Sequence, residues 1–443
     1  MSATLPALSC TPPASLQARL RLRVLGRVTA VVGLVVEGTC PDATVGELVE
    51  IRTANGDALP AEVIGLRDDR LLAIPLGDVR GIGAGDAIVR LGLAARISCG
   101  DGLLGRVLDA RGRPLDGDTP LAGALESCPL YADPPSPLAR RIIDAPTPVG
   151  IRAIDAALTL GRGQRIGIMA GAGVGKSRLL ADMVAGTNCD VCVVALIGER
   201  GREVGEFLER TLSPAARRRT VCIVATSDQS PLLRMRGAFA ATAVAEHFAS
   251  RGADVLLVMD SLTRFAMAQR EIGLSVGEPP ATRGYTPSVF ALLPRLLERA
   301  GRFERGSITG VYTVLVEGDD MNDPIGDAAR SILDGHIVLS RQLASRGHFP
   351  AIDVLQSVSR VLDSVVPRER VALARALRRA LAELAEADEL VALGAHVPGS
   401  NPALDRALAR KPDLLAFLRQ NAGEPFGFDD AWAKLAAICQ EGA

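Results

Sequence analysis

Apolar and polar residues alternate in short runs over the first part of the chain, between residues 20 and 93. At 20–24, leucine or valine alternates with arginine, and turn-forming stretches at 54–57 and 81–86 interrupt the later runs. An alternation of period two indicates strands with one buried face, and glycine and asparagine indicate the turns between them. Short strands with such regular turns predict a small closed or nearly closed β-barrel.

The pattern changes after two proline-rich connections, at 133–137 and 145–149. Apolar runs now recur with enough chain between them to hold helices, and a helix is predicted over 231–250 because Leu232, Met235 and Phe239 share one face. Strands that alternate with helices favour a parallel sheet covered on both faces. The predicted strands cover 166–169, 191–197, 220–226, 254–259 and 308–316.

From residue 366 the apolar spacing becomes helical, with leucines at 373, 377, 381 and 384. The 443 residues are too many for one ordinary core. We therefore predict an N-terminal tail at 1–19 and three domains. These are a β-barrel domain at 20–93, an α/β nucleotide-binding domain at 94–365 and a helical domain at 366–443.

Candidate chemistry is concentrated at 166–177, where an apolar strand leads into a glycine-rich turn, a lysine and a serine. Backbone N–H groups of such a turn point at phosphate oxygens, Lys176 supplies a charge for the β and γ phosphates, and Ser177 supplies a hydroxyl ligand for Mg²⁺. The first position of the usual G-x-x-x-x-G-K-[ST] pattern is Ala170, which adds only a methyl group. The stretch predicts binding of ATP or GTP through Gly171, Ala172, Gly173, Val174, Gly175, Lys176 and Ser177.

Two carboxylates follow apolar strands that belong to the same predicted sheet. Asp260 ends the run Asp-Val-Leu-Leu-Val-Met-Asp, and in nucleotide hydrolases an Asp so placed orients Mg²⁺, usually through a water. Glu199 follows the run that ends at Ile197, and we predict that it activates the attacking water. On composition alone, the charged stretch 199–203 also fits a solvated surface cluster.

The remaining composition limits the function classes. Fifty Lys plus Arg balance 51 Asp plus Glu, so no global field attracts nucleic acid or anionic lipid. Neither a secretory leader nor an apolar run of membrane-spanning length is evident, which predicts a soluble, cytoplasmic protein. The eight cysteines are scattered, which favours reduced thiols, and we interpret the C-x-x-C pair Cys189 and Cys192 as buried strand residues rather than a redox or metal motif.

Three motifs carry a family resemblance: Gly-Glu-Arg-Gly-Arg-Glu-Val at 198–204, Asp-Ser-Leu-Thr-Arg-Phe-Ala at 260–266, and Pro-Ala-Ile-Asp-Val-Leu-Gln-Ser-Val-Ser-Arg at 350–360. They resemble the catalytic subunits of rotary ATPases and their secretion relatives, and the wider sequence resembles most the ATPase of type III secretion systems. The resemblance covers nearly all of residues 20–443. Within it, Asp-Val-Leu-Gln-Ser at 353–357 is more similar to the virulence injectisome branch than to the flagellar export branch. The further matching runs are 134–137 with 148–155, 278–294, 316–340 and 346–360.

The resemblance implies that the barrel at 20–93 is an oligomerisation domain and that a RecA-like core lies between it and the helical domain. It also implies roles for single residues. Lys176 and Ser177 match the phosphate and Mg²⁺ positions, and Glu199 matches the water-activating carboxylate. Arg200 matches the residue that neighbours this water-activating carboxylate in the site, and Asp260 matches the metal-orienting carboxylate.

Three further positions matter for the same site. Arg360 matches the arginine finger that completes the site of an adjacent subunit. Phe349 falls where the family more often has a tyrosine packed against adenine, so an aromatic face is retained. Arg178 stands where the family usually has a small hydroxyl residue, beside the predicted nucleotide contacts.

The resemblance implies an Mg²⁺-dependent ATP hydrolase that forms a homohexamer and couples hydrolysis to chaperone release, unfolding and export of secreted proteins. The implied partners are stalk and stator proteins, chaperone–effector complexes received by the C-terminal domain, and the inner-membrane export apparatus, with peripheral association at its cytoplasmic face. A flagellar export ATPase or rotary ATPase subunit is the alternative. An RNA translocase fits less well, because the net charge is near zero and only 3% of residues are aromatic.

Overall fold

A computed structural model describes residues 25–316, 323–388, 393, 396, 397 and 399–440. The predicted tail at 1–19 and the first alternating residues at 20–24 therefore lie outside the described residues. Contacts between Cα atoms divide the chain into two compact units, 1–95 and 96–443. The helical region from 366 belongs to the same unit as the nucleotide-binding sheet, and the three-domain division stays a prediction. Within the described ranges, no helix has both the length and the apolar character needed to cross a membrane.

The first unit contains the predicted barrel, which closes in the strand order β1-β2-β5-β4-β3-β6. Alternate residues face its interior: on β3, Val49 and Ile51 are fully buried while Arg52 is exposed. The buried carboxylate of Glu47 accepts hydrogen bonds from the guanidinium of Arg90 on β6, with a closest distance of 2.9 Å. The barrel strands are β1 (Leu25–Val32), β2 (Val35–Thr39), β3 (Glu47–Arg52), β4 (Ala58–Arg67), β5 (Arg70–Pro75) and β6 (Ala87–Ala94).

The second unit is built around a sheet in the order β17-β16-β10-β15-β13-β11-β12-β8, with β14 added beside β15. Its central strands are parallel, as predicted. Every residue of β11 is buried, so both faces of that strand are covered. The strands are β8 (Val107–Asp109), β10 (Arg165–Ala170), β11 (Val191–Ile197), β12 (Thr220–Ala225), β13 (Asp254–Asp260), β14 (Gly301–Arg302), β15 (Ser307–Leu315), β16 (Gly335–Leu339) and β17 (Ile352–Ser359).

A separate pair of antiparallel strands, β7 (Arg96–Cys99) and β9 (Glu126–Pro129), packs against helix α5. Helix α5 covers the predicted range, and Ser230 caps its start by accepting a hydrogen bond from the Leu233 amide. The first helices are α1 (Arg152–Asp155), α2 (Lys176–Gly186), α3 (Gly201–Glu206), α4 (Pro214–Arg218), α5 (Pro231–Ser250), α6 (Leu262–Ser275) and α7 (Pro287–Leu297).

The C-terminal helices pack on one another and share an apolar core with the sheet. Leu377, Trp432 and Leu435 are almost completely buried, and they belong to the same cluster as strand residues such as Ile168 and Val194. The predicted helical region after 366 is thus confirmed. These last helices are α8 (Pro324–Ile332), α9 (Arg341–Ser345), α10 (Leu362–Val365), α11 (Arg368–Glu386), α12 (Pro402–Leu418) and α13 (Phe428–Gln440).

Candidate nucleotide site

The turn between β10 and α2 has the geometry of a phosphate-binding loop. Gly175 immediately precedes α2 with φ of 89°, and Gly173 has φ of 79°. Both values lie in the left-handed region that favours glycine, so the backbone can curl with its N–H groups turned toward the helix start. Ala170, at the first motif position, is the last residue of β10 and is buried in the sheet. Its extra methyl group is therefore accommodated within the buried strand.

Lys176 lies between two carboxylates at the carboxyl edge of the sheet. Its Nζ is 2.5 Å from Oδ1 of Asp260 and 3.7 Å from Oε1 of Glu199. Parallel strands bring these residues together because β10, β13 and β11 all end at this edge. On β15, between β10 and β13, Thr313 donates a 2.7 Å hydrogen bond to the same Oδ1 of Asp260. Thr313 fixes this carboxylate, and no sequence motif indicated it.

Glu199 is held in an environment that disfavours its charge. Burial and the nearby Asp260 charge raise the pKa of its carboxyl to about 7, against the lowering effect of Lys176. Its Oε1 is buried and has no hydrogen-bond partner among the described residues. A carboxylate that has an oxygen without a hydrogen bond and a pKa near neutrality suits a group that takes a proton from water.

Ser177 and Arg200 lie at the margins of this group. Ser177 is exposed in the first turn of α2 and directly follows Lys176 in the sequence. Arg200 precedes α3, and its side chain is 73% exposed and lies 3.7 Å from Glu203. The structure thus brings Lys176, Glu199 and Asp260 into one cluster and leaves the Arg200 guanidinium toward solvent.

Beside the phosphate loop lies a cavity of about 730 Å³, between α2 and the C-terminal segment 419–426. Phe349 lines it with a ring that is 46% exposed, and a Cβ added at Gly175 would lie 3.5 Å from that ring. The aromatic ring therefore lies beside the loop, where a base could stack on it. The cavity is continuous with the phosphate site through Gly175.

The segment 419–426 is held over the cavity by hydrogen bonds to residues that are distant in the sequence. The Gln420 amide nitrogen donates to the Phe349 carbonyl at 2.9 Å, and its side chain donates to the Gly150 carbonyl at 2.7 Å. Arg178 pairs with Asp182 at 3.2 Å, and Asp182 accepts a 3.1 Å hydrogen bond from the Gly423 amide. Sequence reasoning identified Phe349 and Arg178 but missed Gln420 and Gly423, because they are more than 200 residues from the phosphate loop and form no motif with it.

Arg360 is not part of this cluster within one chain. Strand β17 runs antiparallel to β16, so Ile352 pairs with Leu339 at the edge that carries the phosphate loop, and Ser359 pairs with Gly335 at the other edge. The seven residue-to-residue steps from Ile352 to Ser359 span about 23 Å in an extended strand. Arg360 follows β17, is exposed, and donates to the Arg330 carbonyl at 3.2 Å.

Sequence profiles of known families match most of the chain. The nucleotide-binding domain of the ATP synthase alpha/beta family matches residues 150–359, and the beta-barrel domain of the same family matches residues 28–92. The C-terminal domain of the type III secretion ATPase EscN matches residues 366–437.

Individual relatives cover almost the whole chain. A type 3 secretion system ATPase of Pseudomonas syringae pv. tomato is 49% identical, over 100% of this chain and 99% of the relative. A flagellum-specific ATP synthase of Treponema pallidum is also 49% identical, over 97% of this chain and 96% of the relative.

Among solved structures, the assembled ATPase EscN in complex with its central stalk EscO, from the type III secretion system of enteropathogenic E. coli, matches with a TM-score of 0.87. It is 42% identical over 94% of this chain and 100% of that chain. The shared barrel, parallel sheet and C-terminal helices confirm the predicted RecA-like architecture. The phosphate loop, the cluster around Lys176 and these long matches show that the chain belongs to the family of type III secretion and flagellum-specific ATPases, which are ATP-hydrolysing enzymes of protein export.

Proposed function

We propose that this chain hydrolyses ATP with Mg²⁺ at the cluster formed by Lys176, Glu199 and Asp260. The observation that carries the proposal is the position of the Lys176 ammonium between two carboxylates at the start of α2. A bound triphosphate offers this ammonium stronger partners, because a lysine at the start of a phosphate-loop helix pairs with β and γ phosphates.

The donor set fits a magnesium ion. Asp260 presents a buried carboxylate, Glu199 has a buried oxygen with no hydrogen-bond partner among the described residues, and Ser177 has an exposed hydroxyl one residue after Lys176. Hard oxygen ligands of this kind suit Mg²⁺, which usually keeps several waters. Ser177 would hold the ion directly and Asp260 would hold it through water. When bound, the ion neutralises negative charge that develops on the transferred phosphoryl group.

The protein side chains would bind the base and the phosphates and activate the attacking water. Phe349 and the cavity beside it receive the base, with Arg178 and the backbone from Gly171 to Ser177 around the phosphates. Lys176 stabilises the charge on the phosphates, and Glu199 orients the attacking water and accepts its proton. Arg200, which follows Glu199 and immediately precedes α3, would turn inward toward the phosphates when they are present.

A second subunit completes the site. Arg360 lies at the sheet edge opposite to the phosphate loop, so it cannot serve the site of its own chain, and its exposure leaves it available to a neighbour. Each interface between copies would place one Arg360 against the next chain's Lys176 and Glu199. Head-to-tail contacts of this kind give a ring when the rotation from one chain to the next closes, and we propose a homohexamer.

The ring would use ATP hydrolysis to release chaperones and to unfold and export secreted proteins in a type III system. The type 3 secretion system ATPase of Pseudomonas syringae pv. tomato and the flagellum-specific ATP synthase of Treponema pallidum are both 49% identical to this chain, so the proposal covers export in either setting. EscN was solved with its central stalk, and we propose a corresponding stalk for this chain. Stator proteins, chaperone–effector complexes and the inner-membrane export apparatus would be its other partners, at the cytoplasmic face of the membrane.

The proposal is tested by measuring ATPase activity per chain, with and without Mg²⁺, across a protein dilution series. Activity should depend on Mg²⁺ and should fall as the protein is diluted below the concentration at which sizing shows assembled rings. Lys176→Ala should abolish it, whereas Arg202→Ala, at an exposed position of α3, should leave it unchanged. Constant activity per chain in a sample that contains only monomers would contradict the shared site.

A further inference from the structure

The strand pair β7 and β9 brings two cysteines together that are far apart in the sequence. In its register, Cys99 lies opposite Glu126 and Ile97 lies opposite Cys128. Residues two apart on a strand share a face, so both thiols lie on one face as diagonal neighbours. The Cys128 thiol is close enough to hydrogen-bond with Cys99, and this contact adds to burial in raising the pKa of Cys99.

This face packs against α5, which places a histidine beside the thiol pair. Nδ1 of His247 lies 3.9 Å from Sγ of Cys128 and 3.6 Å from Oε2 of Glu126. The His247 side chain is only 3% exposed, and its Nε2 is buried without a hydrogen-bond partner among the described residues. Because Nδ1 faces the thiol, the imidazole can accept the thiol proton there, and the Glu126 carboxylate stabilises the imidazolium that results.

Exposure separates Cys128 from the cysteines that the sequence singled out. Cys189 and Cys192 of the C-x-x-C pair are buried, as is Cys222, and burial raises their pKa values to about 11, 12 and 12. Thiols in such surroundings react slowly with oxidants. Cys128 is partly exposed and has a basic nitrogen within reach, while Cys99 lies behind it and is fully buried.

We propose that Cys99, Cys128 and His247 form a dithiol site that peroxides oxidise to a disulfide between β7 and β9. Cys128 gives its proton to His247, and the thiolate attacks a peroxide oxygen; the O–O bond breaks, Cys128 becomes a sulfenic acid, and the second oxygen leaves as water or an alcohol after taking up a proton. The Cys99 sulfur then attacks Cys128. The S–O bond breaks as the S–S bond forms, and the Cys99 proton leaves with the hydroxide as water. Two thiols lose two electrons in total, and the peroxide gains them.

The disulfide would close residues 100–127 into a loop. This loop contains β8, which pairs with β12 at the end of the sheet. The oxidised chain is thus constrained at one edge of the nucleotide-binding unit, whereas the residues of the phosphate site take no part in the chemistry. The site is independent of the proposed ATPase mechanism.

The experiment treats the full-length chain with hydrogen peroxide at neutral pH and maps disulfides by mass spectrometry of unreduced peptides. We expect a Cys99–Cys128 linkage that reductant reverses, together with the loss of two titratable thiols per chain. Cys128→Ser should abolish the linkage, and Cys192→Ser should leave it unchanged. His247→Gln should slow its formation about tenfold, because the variant lacks the basic nitrogen that lies within reach of the Cys128 thiol proton.

Three outcomes would overturn the proposal. The first is a principal disulfide that joins any other pair of cysteines. The second is oxidation of Cys128 to the sulfinic acid at the same rate whether Cys99 is present or replaced by serine. The third is stoichiometric binding of added Zn²⁺ that protects both thiols from peroxide, which would make the cluster a metal site. Since Cys128 is partly exposed, the Cys128→Ser chain should fold even if the Cys99→Ser chain does not.

Discussion

At the residue scale, the site depends on charges that are forced close together. Lys176 compensates for two carboxylates that would otherwise repel each other, since Asp260 and Glu199 both lie within 4 Å of its Nζ. The Asp260 carboxylate keeps its contacts with Lys176 and Thr313, while burial makes Glu199 a base near neutrality. Similar groups with different surroundings therefore acquire different roles.

Replacing Glu199 by Gln should separate binding from chemistry. The amide keeps the shape of the side chain but cannot accept a proton from water, so the rate of hydrolysis should fall by about 10²- to 10⁴-fold. Nucleotide affinity should stay within a few-fold, because Lys176 and the phosphate loop are unchanged. Phosphate release and fluorescent-nucleotide titration measure the two quantities. Turnover near the wild-type rate would remove Glu199 from the role of base.

The raised pKa of Glu199 predicts a pH profile. The base acts only when deprotonated, so kcat/KM should rise with pH up to about 7 and level off above it, by about tenfold per pH unit on the acid side. Glu203 contributes to raising this pKa. Glu203→Gln should therefore shift the midpoint to lower pH with little change in the plateau. A profile that stays flat from pH 5 to 8 would contradict the assignment.

The sequence predicts these residues because each belongs to a contiguous motif on a strand end. A glycine turn before Lys176 and an apolar run before Asp260 can be recognised without a structure. Thr313 and Gln420 have no such signal. Thr313 lies within a mostly apolar strand and nothing in the sequence marks it. Gln420 reaches the site only through hydrogen bonds to Phe349 and Gly150.

At the element scale, buried charge fixes helix positions beside the sheet. Arg299, just after α7, is fully buried; its guanidinium contacts the Glu246 carboxylate on α5 at 2.5 and 2.7 Å and donates to the Leu130 carbonyl at 2.7 Å. Glu246 lies on α5 and Leu130 follows β9, so this single side chain links the end of α7 to two other segments of the unit.

Arg299→Ala should lower the free energy of unfolding of this unit by about 3–5 kcal/mol, because it leaves the Glu246 carboxylate without its buried partner. Arg295→Ala is the matched control. That side chain is 67% exposed and lies 3.5 Å from Asp133, and an exposed pair contributes at most about 1 kcal/mol. Urea unfolding followed by circular dichroism compares the two. Equal losses in the two variants would show that the Arg299 pair does not hold these elements.

Elements were predictable where burial is uniform and less so where it alternates. The run of β11 is apolar throughout and was predicted at its observed bounds, and α5 begins at Pro231 after a serine cap. Strand β17 was missed because its burial alternates and polar residues interrupt it, and β8 was missed because it has only three residues. Two predicted strands, 220–226 and 308–316, end one residue beyond the observed ends.

At the scale of the whole molecule, the order of barrel, sheet and helices could be predicted from changes in periodicity. The covering of the nucleotide cavity by 419–426 could not, because it depends on how helices distant in sequence pack on the sheet. Assembly was indicated only by the family resemblance. The opposite positions of Arg360 and the phosphate loop now provide an independent geometric reason for it.

The central claim is that neighbouring chains share each catalytic site, and mixing two inactive variants tests it most directly. Glu199→Gln chains retain Arg360, and Arg360→Ala chains retain Glu199. Each variant alone should bind nucleotide and lose most hydrolysis. In a ring assembled from equal amounts of both, about a quarter of the interfaces should combine an intact Glu199 with an intact Arg360, so ATPase activity should reappear to that extent. Mixed rings that assemble fully and stay inactive would contradict the account.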